Sequence, residues 1–362
     1  MRIAQVSPLF ESVPPRGYGG TERVVSWLTE ELVRQGHEVT LFASGDSITT
    51  AELVPCCKGA LWQDASSLEN LPHHLRQLEI VMARAHEFDV VHFHSDWVHF
   101  PLARRVQLPA LTTLHGALNT TDHVPLFREY DDMALVSISN AQRAPVPGAD
   151  FRATVYHGMP RDLHRFEPVA GDYLAFLGRA SPQKGLDRAI RIALRSGQKL
   201  KVAARICPEE RAYHAEVIEP LLREAGPLVE WVGEVAGDDK DRFLRGARAL
   251  LFPIDWEEPF GLVMIEALAT GTPVLAWRRG SVPEVLEDGT TGFIVDSIDD
   301  AVAALPALGC IDRRRCRSSF ERRFGVERMA AEYVNVYRAL GERRSGPRIL
   351  SEPVSRPRAA AE

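Results

Sequence analysis

Cysteines and long apolar runs are both scarce in this chain of 362 residues. Only five cysteines occur, and because the count is odd and no Cys-x-x-Cys pair is present, neither a disulfide framework nor a structural zinc site is expected. No apolar stretch approaches the ~18 residues that span a bilayer, and residues 1–20 lack the apolar core of a secretory signal. We therefore expect a cytoplasmic protein with reduced thiols and no transmembrane segment.

A surplus of basic residues is absent as well. The formal net charge is −6, which argues against a dedicated nucleic-acid binder, because the affinity of such a protein rests on a basic surface. Hydrophobic residues make up 45% of the chain, enough to build cores, and this excludes a wholly disordered protein. At roughly 150 residues per domain, the length predicts about two domains.

Short apolar segments alternate with helical periodicity along the first half of the chain. A helix is predicted from an N-cap at Thr21 to a terminating Gly36, and another at 72–86. The predicted strands are 2–7, 37–44, 89–95, 110–115, 134–139 and 153–158. Strand–helix–strand units of this length imply parallel strands with right-handed crossovers, and so a doubly wound α/β domain.

The same alternation restarts after a linker at 157–171 that is rich in glycine and proline. Its predicted strands are 172–178, 199–206, 228–233, 249–253, 272–277 and 292–296. We place the domains at 1–165 and 172–325, followed by a helix at 326–341 and a disordered tail at 345–362. Two such domains predict a ligand site in the cleft between them, at the carboxyl ends of their strands.

The strongest local signal is the segment 257–276, EEPFGLVMIEALATGTPVLA. It follows the predicted strand 249–253, and the turn at Pro259 and Gly261 presents unpaired backbone amides at a helix N-terminus. Such a terminus stabilises phosphate through its amides and the helix dipole.

Two glutamates flank this helix start. Glu258 precedes the helix and can accept a hydrogen bond from a sugar hydroxyl, whereas Glu266 lies in the second turn, where a carboxylate can accept both hydroxyls of a ribose. Acids at a helix start also complement the helix dipole, which is the interpretation without a ligand.

Two further loops follow predicted strands. GRASPQKG carries Arg179 and Lys184, which can stabilise the charge of a departing diphosphate without a metal, or can simply be a solvated pair. GYGGTERVV carries Gly19 and Gly20, which allow backbone amides to approach phosphate closely, or form a surface turn.

Histidines gather in HFHSDWVH, which contains His92, His94, Asp96 and His99. Histidines two apart on a strand point to one face, so a metal site is an alternative. We favour a polar pocket floor that contains Asp96, beside His115, which ends the next predicted strand. A structural histidine is the alternative for His115.

Two charged clusters have simpler interpretations. An Asp-x-Asp at 239–241 could hold a divalent metal, but it opens a predicted helix, where acids are favoured by the dipole alone. The basic stretch 313–317, with Arg322 and Arg323, could contact anionic lipid at a membrane surface or an anionic carrier. We favour a solvated helix face for this stretch.

Together these motifs resemble the family-4 retaining glycosyltransferases over about residues 1–340. Glu258 and Glu266 show the glutamate–seven–glutamate spacing of that family, and EPFGL, ATGTPVLA, GSVPEVLEDGTTGFIV, GRASPQKG and GYGGTERVV resemble its motifs in the same order. The resemblance implies the GT-B architecture, with two Rossmann-like domains, the first for the acceptor and the second for a nucleotide-sugar donor. It also implies that the helix at 326–341 crosses back to the first domain.

The resemblance assigns roles to individual residues. It implies that the catalytic residues are His115, Glu258, Arg179, Lys184 and Asp96. The donor is expected to contact Gly19, Gly20, Arg179, Lys184, Glu258, Phe260, Gly261, Leu262 and Glu266. No metal or other cofactor is expected. One departure concerns the linker, where many relatives have Asn-Gly-Val-Asp and this chain has the residues 157–160, His-Gly-Met-Pro.

The expected activity is retaining transfer of a hexose-type sugar, from a UDP- or GDP-sugar, to an acceptor hydroxyl in polysaccharide, glycolipid or glycoside synthesis. The acceptor, whether sugar, glycolipid or small molecule, is not specified by these motifs. The alternatives are a GT-B sugar phosphorylase, a sugar-nucleotide epimerase and a nucleotide-sugar-binding protein without turnover.

Overall fold

Two parallel β-sheets, each covered by helices, make up the computed structural model, which describes residues 1–63, 69–106 and 108–344. The first sheet contains β1 (Arg2–Val6), β2 (Glu38–Ser44), β3 (Glu52–Cys57), β4 (Val90–Phe93), β5 (Ala110–Thr113), β6 (Leu135–Ser137) and β7 (Phe151–Thr154). Its helices are α1 (Gly20–Arg34), α2 (Leu71–Arg84), α3 (Phe100–Val106), α4 (His123–Glu129) and α5 (Asn140–Arg143). The strand order is β3-β2-β1-β4-β5-β6-β7.

The second sheet contains β8 (Leu174–Arg179), β9 (Leu200–Arg205), β10 (Val229–Trp231), β11 (Ala249–Phe252), β12 (Val274–Trp277) and β13 (Gly292–Val295), in the order β10-β9-β8-β11-β12-β13. Its helices are α6 (Leu186–Ser196), α7 (Arg211–Tyr213), α8 (Glu219–Ala225), α9 (Gly237–Arg245), α10 (Leu262–Thr270), α11 (Val282–Val285), α12 (Ile298–Leu308) and α13 (Arg313–Arg323), and α14 (Val326–Arg344) follows. The predicted pair of Rossmann-like units is confirmed. The tail predicted from residue 345 lies outside the described residues.

Burial explains why the central strands were predictable. Every residue of β4, β5 and β11 is buried, because helices cover both faces of each sheet. Strand β11 is apolar throughout, whereas β4 and β5 are apolar apart from His92, Thr112 and Thr113. At the other extreme, β3 is a half-exposed edge strand that contains Pro55, and it was not predicted. Thr21 was predicted as the N-cap of α1, but the helix begins one residue earlier and Gly19 takes that place.

Helix α14 packs against α1 and reaches the first sheet through two tyrosines. The Tyr333 hydroxyl lies 2.9 Å from Thr113 Oγ1, and Gln5 Nε2 donates to the Tyr337 hydroxyl at 3.1 Å. A Cβ on Gly158 would lie 2.5 Å from the carbonyl oxygen of Gly325, so the start of the linker crosses the start of α14 at a point where only glycine fits. None of the helices in the described ranges is long and apolar enough to cross a membrane.

The basic stretch on α13 is solvated only in part: Arg314 and Arg315 are exposed, but the predicted solvated face is wrong for Arg313 and Arg317. Arg313 is 5% exposed and donates to the carbonyl oxygens of Glu167, Arg245 and Ala247. Arg317 likewise donates to three backbone carbonyls. These arginines satisfy buried carbonyls that would otherwise lack a donor, so their charge is used inside the second half.

Candidate active site

The glycine loop of the first half lies against the start of α10 in the second half. A Cβ on Gly20 would lie 3.7 Å from Leu262 Cδ1, and the Arg205 guanidinium lies 6.0 Å from the Tyr18 ring. Both halves line one pocket, with Leu118, Asn119 and Gln142 from the first and Glu257, Glu258 and Gly280 from the second. The predicted donor and acceptor motifs therefore share a single cleft.

Lys184 and Glu258 form a buried ion pair at this cleft. Gly185, whose φ is +76°, allows the loop after β8 to approach β11, since a Cβ there would lie 2.1 Å from the Pro253 carbonyl oxygen. Glu258 is 7% exposed, and its Oε2 accepts from Lys184 Nζ and, at 2.9 Å, from Trp256 Nε1. The ammonium group also lies 4.7 Å from the centre of the Trp256 ring. A carboxylate and a cation are thus held together where sugar and diphosphate are expected to meet.

Arg179, at the end of β8, has a carboxylate partner of its own. Its Nε lies 3.1 Å from Glu210 Oε1, and Glu210 Oε2 accepts the Cys207 backbone amide at 3.0 Å. Cys207, Glu209 and Glu210 bring one ligand atom each within 4.8 Å of one another, which is a spacing that a metal could use. Because Glu210 is already engaged by a cap and an ion pair, we assign the group to holding Arg179.

Glu266, the second glutamate of the motif, is buried on α10 and paired with Lys240 at 2.5 Å. Burial raises the pKa of this carboxyl, but the Lys240 and His164 side chains more than offset it, so the pKa lies below its usual value. The carboxylate is therefore ionised at neutral pH and can accept hydrogen bonds. The sequence does not indicate Lys240 as a site residue, because it lies between two acids that are typical of a helix start.

Those two acids point to different partners. Asp239 pairs with Arg242 on the outside of α9, whereas Asp241 accepts from the Arg165 backbone amide at 2.8 Å and from its Nε at 3.2 Å. A shared cation would need both carboxylates to converge. The Asp-x-Asp is therefore a helix-start feature here, as favoured, and its middle lysine is the residue that reaches the site.

The start of α10 depends on a glycine. Gly261 has a φ of +78°, and a Cβ there would lie 2.7 Å from Met264 Cε. The neighbouring carbonyl of Phe260 accepts from Ser281 Oγ at 2.9 Å, while the Phe260 ring is buried against His157, 4.8 Å between centroids. Phe260 can therefore contact a donor through its backbone only, and its ring supports the loop from below.

A line of hydrogen-bonded histidines forms the facing wall. His115 Nε2 lies 2.9 Å from His94 Nδ1, and His94 Nε2 lies 2.8 Å from Gln5 Oε1. Burial lowers the pKa of His115 to about 3 and lowers that of His94 well below its usual value, so both rings are neutral. His157, at the start of the linker, stacks on His115 with 5.3 Å between ring centroids.

The remaining residues of HFHSDWVH complete this wall. His92 bonds Tyr337 Oη at 2.8 Å and Thr113 Oγ1 at 2.7 Å, so neither of its ring nitrogens is left for a metal. His99 lies deeper, with Nε2 2.8 Å from Thr112 Oγ1. Asp96 follows β4 with a left-handed φ of +51° and is exposed at the carboxyl end of the sheet.

One carboxyl of the first half has a raised pKa. Glu22, at the start of α1, is 5% exposed; burial raises its pKa to about 7, and the nearby Glu11 contributes to the shift. The adjacent Gly19 has no room for a side chain, since a Cβ would lie 2.7 Å from Pro15 Cβ. The glycine loop is therefore packed on an acid that takes up protons near neutral pH.

Glu284 of α11 joins the two halves beside the cleft. Its carboxylate accepts from the backbone amides of Asn140 and Ala141, both at 2.7 Å, and from the Tyr156 hydroxyl at 2.8 Å. The first two donors belong to α5 of the first half, and Tyr156 precedes the linker. Nothing local in GSVPEVL indicates this contact, because its partners lie more than 120 residues away.

Comparison with known families identifies both halves. Residues 18–170 match the profile described as Glycosyltransferase Family 4, and residues 165–307 match the one described as Glycosyl transferases group 1. A D-inositol 3-phosphate glycosyltransferase from Corynebacterium efficiens is 31% identical over 370 residues, covering 84% of this chain and 85% of that protein.

Two solved structures share the fold over 94% of this chain. The first is AviGT4, a glycosyltransferase involved in avilamycin A biosynthesis, with a TM-score of 0.74, 26% identity and 98% of its chain covered. The second is the Anabaena protein HepE in complex with UDP and glucose, also with a TM-score of 0.74, with 18% identity and all of its chain covered.

Proposed function

Since the chain belongs to family 4 of the GT-B glycosyltransferases, we propose that it transfers a hexose-type sugar from a nucleoside diphosphate sugar to an acceptor hydroxyl with retention of anomeric configuration. The observation that carries this proposal is the arrangement at one edge of the second sheet. Lys184, Arg179 and the N-terminus of α10 lie there, opposite the glycine loop. Fixed cations and helix amides are what a departing diphosphate requires.

Each glutamate of the motif then has a separate task. Glu266, ionised and buried, accepts the ribose hydroxyls of the donor. Glu258 accepts a hydrogen bond from a sugar hydroxyl, and Lys184 contacts both Glu258 and the diphosphate. The second carboxylate of the described pocket lining, Glu257, is the chain neighbour of Glu258 and accepts the Gly280 backbone amide at 2.9 Å, so it is not placed opposite Glu258 as a nucleophile. We therefore favour front-face attack in which a diphosphate oxygen takes the acceptor proton.

The positive groups of the second half stabilise the leaving group without a metal in this proposal. Arg179 must exchange part of its contact with Glu210 for the diphosphate, and Lys184 must do the same with Glu258. Such fixed charges need little reorganisation as the transition state forms. UDP is the first donor base to test, because the HepE structure contains it, and GDP is the second.

Two assays test the proposal. A thermal-shift screen of UDP, GDP, ADP and their sugars identifies the base, since a ligand at 100 times its dissociation constant adds about 2.7 kcal/mol to the free energy of unfolding. Nucleoside diphosphate release is then measured with and without acceptors, including D-inositol 3-phosphate from the relative's name. Release that depends on an acceptor, with retained configuration, supports a transferase. Epimerised donor, release only with phosphate, or binding without release would identify the three alternatives.

A further inference from the structure

Seven side chains, six of them buried and the last partly exposed, form one continuous hydrogen-bonded line from α14 to the cleft. In order they are Tyr333, Thr113, His92, Tyr337, Gln5, His94 and His115. The line joins residues that are 332 positions apart in the sequence, Gln5 and Tyr337. It carries no ionised group, since burial lowers the pKa of every histidine in it and raises that of both tyrosines.

The amide of Gln5 gives this line a direction. Its Nε2 donates to the Tyr337 hydroxyl at 3.1 Å, which leaves Oε1 facing His94 Nε2 at 2.8 Å. A carbonyl oxygen only accepts hydrogen bonds, so His94 Nε2 carries the hydrogen. The Tyr337 hydroxyl, having accepted from Gln5, donates its own hydrogen to His92 Nδ1 at 2.8 Å.

The position of the hydrogen on His94 determines the position of the hydrogen on His115. A neutral imidazole has one N–H and one lone pair, so His94 Nδ1 is an acceptor. His115 Nε2, 2.9 Å away, must then donate to it. Because His115 is neutral too, its Nδ1 keeps a lone pair, and no hydrogen bond from a described residue reaches that atom.

We propose that Gln5 and Tyr337 are positioning residues that hold His115 in the Nε2–H tautomer, so that Nδ1 accepts a hydrogen bond from a hydroxyl of the donor sugar. The inference rests on the proposed function for the identity of that hydroxyl, but the tautomer itself belongs to the free protein. Without the Tyr337 hydroxyl, Gln5 Nε2 loses its acceptor, and the amide can rotate to donate to His94 instead. That rotation reverses the hydrogens at His94 and His115.

The first test needs no substrate. In the full-length protein labelled with ¹⁵N-histidine, the two ring nitrogens of a neutral histidine differ strongly in chemical shift according to which one carries hydrogen. The His115 signals are identified by their loss in His115→Gln. Hydrogen on Nε2 is expected, and hydrogen on Nδ1 of the wild-type ring would overturn the proposal whether or not the protein is a transferase.

The second test compares two variants on one helix. Tyr337→Phe should move His115 towards the Nδ1–H tautomer and lower kcat about tenfold, the kinetic equivalent of one hydrogen bond, while the dissociation constant of UDP stays within about twofold. Tyr333→Phe is the matched control, because it removes a buried hydroxyl at the far end of the line and leaves the Gln5 acceptor in place.

The control variant distinguishes a change in hydrogen-bond direction from a loss of packing. Both variants should lose a similar amount of unfolding free energy, but only Tyr337→Phe should change the tautomer and kcat. If Tyr337→Phe does not fold, Gln5→Met breaks the same contact and serves in its place. Equal tautomers and equal kcat in the test and control variants would overturn the proposal, as would a changed tautomer with unchanged kcat.

Discussion

The two walls of the cleft are built from opposite chemistry. On the second half, each expected donor contact that bears a charge is an ion pair: Lys184 with Glu258, Arg179 with Glu210, and Lys240 with Glu266. On the first half, His94 and His115 are neutral rings in a buried line of hydrogen bonds.

The difference follows from what each wall must hold. A nucleoside diphosphate is negatively charged. Before it binds, each cation of the second wall is neutralised by its own carboxylate, so no unpaired ion is buried. When it binds, the cations can exchange part of these contacts for contacts with the diphosphate. A sugar and an acceptor hydroxyl bring dipoles, and neutral donors and acceptors of fixed direction match these. The predictions below break or sharpen this division.

The largest effect is expected from Lys184→Met. It removes one of the cations expected at the leaving group and leaves Glu258 without its ion-pair partner, so kcat/KM should fall about 10³-fold, as when one preorganised charge-stabilising donor is lost. Rates of nucleoside diphosphate release measure this. Lys199→Met, which breaks an exposed pair with Asp172, is the control and should retain wild-type turnover. A loss below tenfold for Lys184→Met would show that the charged wall does not act on the leaving group.

Glu22→Gln should change how stability depends on pH. The folded chain keeps a proton on Glu22 up to a pKa of about 7, whereas the unfolded chain loses it near 4.5. Unfolding free energy therefore falls as pH rises through this window, by about 3 kcal/mol from this group. Denaturant titrations at several pH values should show that Glu22→Gln lacks this fall. Glu30→Gln, on the same helix, should keep the wild-type slope. The wild-type slope in Glu22→Gln would mean that Glu22 is ionised in the folded protein like an ordinary carboxylate.

Glu266→Ala should weaken binding of the free nucleoside diphosphate about tenfold, with a smaller effect on kcat. Ribose contacts are present in ground and transition states alike, so their loss appears in binding. Calorimetric titration gives the dissociation constant. Wild-type affinity in this variant would remove the ribose role.

Lys240→Met sharpens the same point through pH. Without the lysine, burial dominates and the pKa of Glu266 rises, so affinity for the nucleotide should decrease as pH falls. In the wild-type protein the low pKa of Glu266 should keep affinity nearly constant between pH 6 and pH 8, on the order of a twofold change. If the nucleotide affinity of both proteins depends on pH in the same way, the Lys240–Glu266 ion pair stabilises the fold and does not prepare Glu266 for the ligand.

The smallest effect is expected from a chelator. If fixed cations replace a metal, EDTA should leave turnover unchanged. Loss of activity that magnesium or manganese restores would mean that the ion pairs of the second wall are insufficient for the leaving group.

The sequence predicts the architecture best where the strands are completely buried. Strands such as β11, ALLF, are apolar throughout because both faces are covered, and their spacing predicted two similar sheets. The edge strand β3, ELVPCC, has mixed polarity and a proline, so neither period nor run length indicated it. The helices α3 and α12 were not predicted individually either, although α3 lies between two predicted strands and α12 directly follows one.

The site residues likewise divide into those that a local sequence pattern indicates and those that it does not. Glu258 and Glu266 were found because their spacing is local. Their partners Lys184 and Lys240 lie 74 and 26 residues away, and the pairing depends on where β8 ends and α9 begins relative to α10. Glu284 contacts a helix start 144 residues earlier, and Gln5 bonds a tyrosine 332 residues later. Such contacts follow from topology and leave no local pattern.

The return of α14 to the first sheet has a consequence for synthesis on the ribosome. Gln5 and β1 are among the first residues made, yet their hydrogen-bond partner Tyr337 and the helix that covers α1 come about 190 residues after β7. At translation rates of about 5–20 residues per second, the first half waits roughly ten to forty seconds with one flank uncovered. The last helix of the second half, α13, ends just before α14 begins, so the half that is synthesised first is completed last.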